Sequence, residues 1–160
     1  MIGNTGTLVM GIGNYLMGDE GIGVHVANRL EKSMLLPEGV SVLDGGTGGF
    51  HLLEYFEHYD HIILIDATLD SHVTGTIRKI KPRFATDFPP AMSTHDIGLK
   101  DLVSALQILG KMPEIDLFVV SIATIQQQGI ELTPEIEAVV PNVIDEILTL
   151  LAEKEAILAI

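Results

Sequence analysis

The sequence alternates between short aliphatic runs and stretches in which apolar residues recur every three or four positions. Unbroken aliphatic runs of this length are typical of strands, and helical recurrence predicts amphipathic helices. The predicted strands lie at 7–10, 40–44, 61–66 and 117–123. The first predicted helix begins just after Asp19 and ends near 32–34, the second lies around 52–56, and the third covers 99–109. The last begins with Thr133 as its cap and runs across Pro141, where we expect a kink. This alternation predicts an α/β fold, a three-layer α/β/α sandwich around a mostly parallel sheet.

A fifth strand is predicted at 76–81. The connection at 67–74 is too short for the crossover helix that a parallel strand needs, so this strand should run antiparallel to the others. Its three basic side chains favour an exposed edge of the sheet. The 160 residues fit one domain, which we expect to span 1–160.

The stretch at 11–23, GIGNYLMGDEGIG, joins the first strand to the first helix. Its G-x-G start suggests a dinucleotide-binding loop, in which the backbone approaches a pyrophosphate. The match fails because Leu16 occupies the third glycine position, and because Asp19 and Glu20 stand where a phosphate needs positive potential. A purely structural interpretation also stays open at this point: the glycines shape a turn, Asp19 caps the helix, and the helix dipole tolerates Glu20.

Acidic side chains stand at or beyond the ends of three predicted strands. Glu20, Asp44 and Asp66 therefore map to the edge where the parallel strands end, and open α/β sheets bind ligands at that edge. His95 belongs to a long irregular stretch at 82–97 that should return near the same edge. Carboxylates and an imidazole without thiolates suit a divalent ion such as Ni²⁺, Zn²⁺ or Mn²⁺ with vacant positions. Taken singly, each residue also has an ordinary role as a turn former or helix-start residue.

Composition and absent motifs exclude several classes of protein. Nine basic against 22 acidic residues give a formal charge of −13, which disfavours nucleic acid and anionic membranes as partners. No apolar run approaches the roughly 20 residues that span a bilayer. The absence of cysteine excludes thiol catalysis and thiolate metal sites, and an N-terminus unlike a secretory signal predicts a cytoplasmic protein.

The sequence contains no H-E-x-x-H helix of zinc proteases and no G-x-S-x-G turn of serine hydrolases. We interpret the other histidines as structural or surface residues: His25, His51, His58, His61 and His72.

Five sequence blocks resemble the [NiFe]-hydrogenase maturation endopeptidases. They are GIGN at 11–14, DEGIG at 19–23, LDGGT at 43–47, IDA at 65–67 and STHDIGL at 93–99. Their order and intervals are more specific than any one block, and the resemblance covers almost the whole chain. It implies the sheet order 2-1-3-5-4 with the fourth strand antiparallel. It also implies an endopeptidase that removes the C-terminal extension of the hydrogenase large-subunit precursor after nickel insertion.

The resemblance also implies roles for individual residues. The metal ligands of the family fall on Glu20, Asp66 and His95. The catalytic residue stays open: the candidate general base is Asp44, with a ligand carboxylate as the alternative. The substrate-approach segment falls on the loop at 45–49. Its implied substrate-binding residues are Gly45, Gly46 and Thr47.

Nickel is the implied metal, supplied by the substrate, and zinc or cadmium could substitute for it. Two mechanisms stay open: in one the ion anchors the loaded precursor, and in the other it activates the attacking water. The implied partner is the large-subunit precursor, and we expect a monomer. The alternative function is a non-enzymatic nickel carrier or assembly factor, which would transfer metal without shortening a precursor.

Overall fold

The computed structural model describes residues 4–90, 92, 99–123 and 128–159. Its strands are β1 (Asn4–Gly11), β2 (Val40–Asp44), β3 (Tyr59–Thr68), β4 (Ile77–Ile80) and β5 (Glu114–Ser121). Its helices are α1 (Ile22–Ser33), α2 (Leu53–His58), α3 (Leu99–Ile108) and α4 (Pro134–Leu158). Short 3₁₀ turns lie at Gly18–Gly21, Phe50–Leu52 and Ala85–Asp87. Strands and helices thus alternate as predicted, and β4 follows β3 without a helix between them, which was also predicted.

The sheet has the order β2-β1-β3-β5-β4. The strands β2, β1, β3 and β5 pair in parallel, and β4 runs antiparallel to β5. The expected order and the antiparallel fourth strand are confirmed. Gly11 of β1 is opposite Asp44 of β2 and Ile65 of β3, so the carboxyl ends of these strands lie side by side. We call the edge at which β1, β2, β3 and β5 end the carboxyl edge.

Helices cover both faces of the sheet. Neighbouring residues of a strand point to opposite faces, so the aliphatic runs of β1, β3 and β5 supply two cores. One core packs the strands against α2 and α3; its buried members include Leu8, Met10, Leu64, Leu117, Phe56 and Leu102. The other packs them against α1 and α4; its buried members include Val9, Ile63, Phe118, Val26, Val143 and Ile147. The three-layer sandwich is confirmed.

β3 extends beyond its aliphatic run. We predicted that Asp66 ends this strand, and that was wrong: Ala67 and Thr68 continue it and pair with Val120 and Ser121 of β5. A run of aliphatic residues marks only the apolar part of a strand, whereas the hydrogen-bonded ladder continues for as long as a partner strand runs beside it. Asp66 therefore lies inside a strand, two residues before its end.

The last helix is one continuous element. α4 runs through Pro141 to Leu158, so the tail from 153 to 158 extends the helix. The bend that we expect at Pro141 stays a prediction. Among the helices in the described part of the chain, none is long and apolar enough to cross a membrane.

Candidate active site

Glycines bring the first loop against the end of β3. A Cβ atom at Gly23 would lie 2.1 Å from the carbonyl oxygen of Ile65, closer than packed atoms approach. A Cβ atom at Gly13, where φ is +142°, would lie 2.1 Å from the carbonyl oxygen of Glu20. The amide of Ile12 donates to the same Ile65 carbonyl at 2.9 Å. The repeated glycines therefore allow close packing of backbone on backbone, and the turn that carries Glu20 packs on β3.

This packing brings together the segments that carry two of the three predicted metal ligands. Glu20 lies in the 3₁₀ turn Gly18–Gly21, and Asp66 follows Ile65 in β3. Both residues are completely buried. The Asp66 carboxylate accepts a hydrogen bond from the Ala67 amide at 2.8 Å. Burying a carboxylate costs free energy unless polar or cationic groups compensate for the lost water. Buried carboxylates are therefore concentrated at functional sites.

Asp44 lies at the same edge but is exposed. Its Oδ1 accepts a hydrogen bond from the Gly46 amide at 2.9 Å, and Gly46 adopts the left-handed conformation with φ +58°. Two backbone hydrogen bonds of 2.8 Å fix this turn beside the first loop, from Gly45 to Gly11 and from Gly13 to Gly46. The Asp44 carboxylate therefore faces solvent at the carboxyl edge, while Glu20 and Asp66 are buried inside the protein.

His95 lies outside the described residues. The nearest described neighbours along the chain are Met92 and Leu99, the first residue of α3. Met92 forms an isolated antiparallel bridge with Thr68, the last residue of β3. The long loop therefore reaches the carboxyl edge at Met92, beside the strand that carries Asp66.

Asp19 does not cap α1 as we predicted. The N-cap of α1 is Gly21, which makes no side-chain capping bond. Instead, Asp19 is buried and both of its carboxylate oxygens bind Thr133, which precedes α4: Oδ1 accepts from the Thr133 amide and Oδ2 from its hydroxyl, each at 2.8 Å. The sequence predicted Thr133 as the cap of α4, but offered no signal that joins two residues so far apart.

A second group of potential metal ligands lies at the opposite edge of the sheet. His61, Glu114 and Asp116, which we call the amino-edge cluster, place ligand atoms within 4.8 Å of one another at the start of β3 and β5. Sequence reasoning did not group them. The His61 Nε2 atom donates to Asp116 Oδ2 at 2.6 Å, while the ammonium groups of Lys81 and Lys154 lie 2.5 and 3.9 Å from Glu114 oxygens. Lysines therefore already supply the positive charge that a metal would bring.

The electrostatics of this cluster agree with an ion-pair role. Burial raises the pKa of Asp116, but the hydrogen bond and charge of His61 and the charge of Lys81 outweigh it, so that pKa lies below its ordinary value. The hydrogen bond from Lys81 likewise lowers the pKa of Glu114. Both carboxylates are thus held in the charged form by neighbours already present.

Comparison with protein families gives a match over most of the chain. A family model described as hydrogenase maturation protease, HycI, matches residues 24–150. The hydrogenase 2 maturation protease of Escherichia coli is 36% identical over 148 residues, covering 91% of this chain and 90% of that protein. The hydrogenase expression/formation protein HupD of Bradyrhizobium diazoefficiens is 33% identical over 149 residues, covering 91% and 78%.

Solved structures agree with the sequence matches. The hydrogenase maturating endopeptidase HybD from E. coli superimposes with a TM-score of 0.84 at 35% identity, covering 94% of each chain. The [NiFe] hydrogenase maturation protease HybD from Thermococcus kodakarensis superimposes with a TM-score of 0.74 at 26% identity, covering 91% of this chain and 99% of that one.

Proposed function

This chain belongs to the hydrogenase maturation protease family and is therefore a peptidase, and we propose that it removes the C-terminal extension of a nickel-loaded [NiFe]-hydrogenase large-subunit precursor. The observation that carries this proposal is the pair of completely buried acids, Glu20 and Asp66, on two segments in direct contact at the carboxyl edge. Membership of a peptidase family favours cleavage over the alternative of a nickel carrier.

We infer that Glu20, Asp66 and His95 complete the coordination of a nickel ion that the precursor already holds. Carboxylate oxygen and imidazole nitrogen both ligate divalent transition metals, and the chain contains no cysteine that could capture the ion for itself. The bridge between Met92 and Thr68 supports the inclusion of His95, since it brings the loop to the strand of Asp66. In this proposal the ion is part of the substrate and serves to recognise it.

Asp44 is the proposed general base. Its carboxylate would take a proton from water while the water oxygen attacks the scissile carbonyl carbon. The resulting intermediate would collapse by breaking the C–N bond, and the proton would pass from Asp44 to the departing amine. Its exposed position at the end of β2 and its hydrogen bond to the Gly46 amide support this role, because the side chain is both oriented and open to water.

The turn after Asp44 is the proposed surface for the extension. Gly45, Gly46 and Thr47 follow the base directly, and backbone hydrogen bonds to Gly11 and Gly13 fix the turn beside the first loop. A peptide lying against this turn would therefore lie beside the proposed base and next to the first loop, which carries Glu20.

The test is incubation with a large-subunit precursor in nickel-loaded and nickel-free forms, followed by mass spectrometry. We expect one cut near the C-terminus of the loaded precursor and none in the nickel-free form. Asp66→Asn and Glu20→Gln should prevent both cleavage and stable association with the loaded precursor. Asp44→Asn should prevent cleavage but allow association, and Glu31→Gln, an exposed acid on α1, should behave as wild type.

Three results would contradict this proposal. Efficient cutting of nickel-free precursor would remove the ion as the recognition signal. Full activity of Asp66→Asn and Glu20→Gln would remove those acids from the site. Nickel transfer without any cutting would favour the carrier.

A further inference from the structure

Asp19 is a buried carboxylate next to Glu20 that the proposed chemistry does not use. It belongs to the same 3₁₀ turn, Gly18–Gly21, and is only 1% exposed. Both of its oxygens are engaged by Thr133, one by the backbone amide and one by the hydroxyl. Because hydrogen bonds to an ionised carboxylate are strong and directional, they fix the side chain of Asp19 in one orientation.

The chain leading into α4 also contacts the first loop and α1 at further points. Gly18 donates to the Gly129 carbonyl and Gly129 donates to the Leu16 carbonyl, both at 2.8 Å, which makes a short parallel bridge. The His25 Nε2 atom lies 2.8 Å from the Ile130 carbonyl oxygen. We call residues 128–133 the clamp segment, because it holds the loop that carries Glu20.

Asp19 makes a buried contact with the clamp segment through its carboxylate and Thr133. Its carboxylate lies at the amino end of a 25-residue helix, where the exposed amides and the helix dipole favour negative charge. Thr133 makes no capping bond with its own side chain, so Asp19 takes the capping role from across the fold. Fixing Asp19 in this way also restricts the backbone of the next residue, Glu20.

We propose that Asp19 is a positioning residue, which holds the Glu20 carboxylate in the geometry needed to bind metal by anchoring its turn to Thr133. This rests on the proposed role of Glu20 as a ligand. The contacts of both Asp19 oxygens are with Thr133, so in this proposal Asp19 acts through the position of the turn. The proposal separates two adjacent acids: Glu20 contacts the ion and Asp19 sets where Glu20 lies.

The test is calorimetric titration with Ni²⁺ alone, which measures the affinity of the ligands for the ion without a precursor. Asp19→Asn keeps the shape but removes the charge, and Thr133→Val keeps the shape but removes the hydroxyl donor. Each should weaken Ni²⁺ binding at least fivefold while circular dichroism stays unchanged. Thr133→Ser, which retains both donors, should bind within twofold of wild type. The double variant should be no weaker than the worse single variant, because both changes break one contact.

Two controls separate the possible failures. Glu137→Gln breaks the exposed ion pair between Arg29 and Glu137, which also joins α1 to α4, and it should leave binding unchanged. Glu20→Gln should weaken binding in any case.

If Glu20→Gln weakens binding but Asp19→Asn and Thr133→Val do not, the positioning role is wrong and the proposed function stands. If Glu20→Gln has no effect, the ligand assignment is wrong and the positioning role falls with it. Should Asp19→Asn fail to fold, Thr133→Val alone decides.

Discussion

Gly23 leaves no room for a side chain beside Ile65: a Cβ atom there would lie 2.1 Å from the Ile65 carbonyl oxygen and 2.4 Å from that of Ile12. The first turn of α1 therefore packs directly on the backbone of β3, three residues before that strand ends. Because Glu20 precedes this turn and Asp66 follows Ile65, the distance between α1 and β3 also determines how close the two acids come.

Gly23→Ala should lower both stability and metal affinity. The new methyl group must push α1 away from β3, and overpacking of this kind costs about 3 kcal/mol. In a chain of this length we expect the melting temperature to fall by about 10 °C. Ni²⁺ binding, followed by calorimetry well below the melting temperature, should also weaken because Glu20 moves with the helix.

Lys32→Ala, at an exposed position of the same helix, should change the melting temperature by less than about 2 °C. An unchanged melting temperature in Gly23→Ala would show that the helix can shift freely.

Nucleotides should not bind to the first loop. The G-x-G start suggests a phosphate cradle, but the space in front of these glycines is filled by the protein itself: Cβ atoms at Gly11 and Gly13 would each lie 2.1 Å from a carbonyl oxygen, of Gly23 and Glu20 respectively. NAD or ATP at millimolar concentration should therefore leave the melting temperature unchanged. A rise of several degrees that Asp44→Ala abolishes would restore the dinucleotide interpretation.

Much of the carboxyl edge could be predicted from sequence because it follows from topology. Parallel strands end at one edge, so acids placed after or near the ends of β1, β2 and β3 must lie near one another. The structure places Asp44 on β2 and Asp66 on β3, on either side of β1, and it packs the turn that carries Glu20 on β3. The error at Asp66 was one of element length, since the strand continues past its last aliphatic residue.

Contacts between distant polar residues could not be predicted in this way. Asp19 and Thr133 each had a local interpretation as a helix cap, and the residue types were right for capping. The structure joins them to one another instead, 114 residues apart in sequence. His61 was likewise interpreted only as a structural or surface residue, and Asp116 was not singled out. The pairing of β3 with β5 brings them together, and the local sequence pattern does not contain that pairing.

The buried pair of His61 and Asp116 should make stability depend on pH. The pKa of Asp116 in the folded protein is below its ordinary value of 3.8, because the effects of His61 and the nearby lysines exceed that of burial. A carboxyl whose folded pKa is lowered stabilises the protein above its unfolded pKa, and this contribution is lost as the pH falls through the folded pKa. Asp116→Asn should therefore be less stable than wild type by about 2 kcal/mol at pH 7. The difference should shrink below pH 3.8.

Chemical denaturation at pH 7, 5 and 3 measures this effect. Glu31→Gln, which removes an exposed charge, serves as the matched control and should follow the wild-type curve. A constant difference between Asp116→Asn and wild type across the three pH values would mean that the charge of Asp116 does not contribute to stability.

Metal binding should distinguish the two edges of the sheet. We expect about one Ni²⁺, Zn²⁺ or Cd²⁺ to bind weakly per chain, because three ligands without a thiolate leave open positions. Asp66→Asn and His95→Ala should each weaken binding about tenfold or more, since even residues that only support a ligand have effects of that size. Glu114→Gln removes a member of the amino-edge cluster and should leave affinity within about twofold, because Lys81 and Lys154 already neutralise Glu114. Calorimetry on the three variants compares the sites directly. Lost affinity in Glu114→Gln with normal affinity in Asp66→Asn would place the ion at the amino-edge cluster, and the buried acids at the carboxyl edge would then need another explanation.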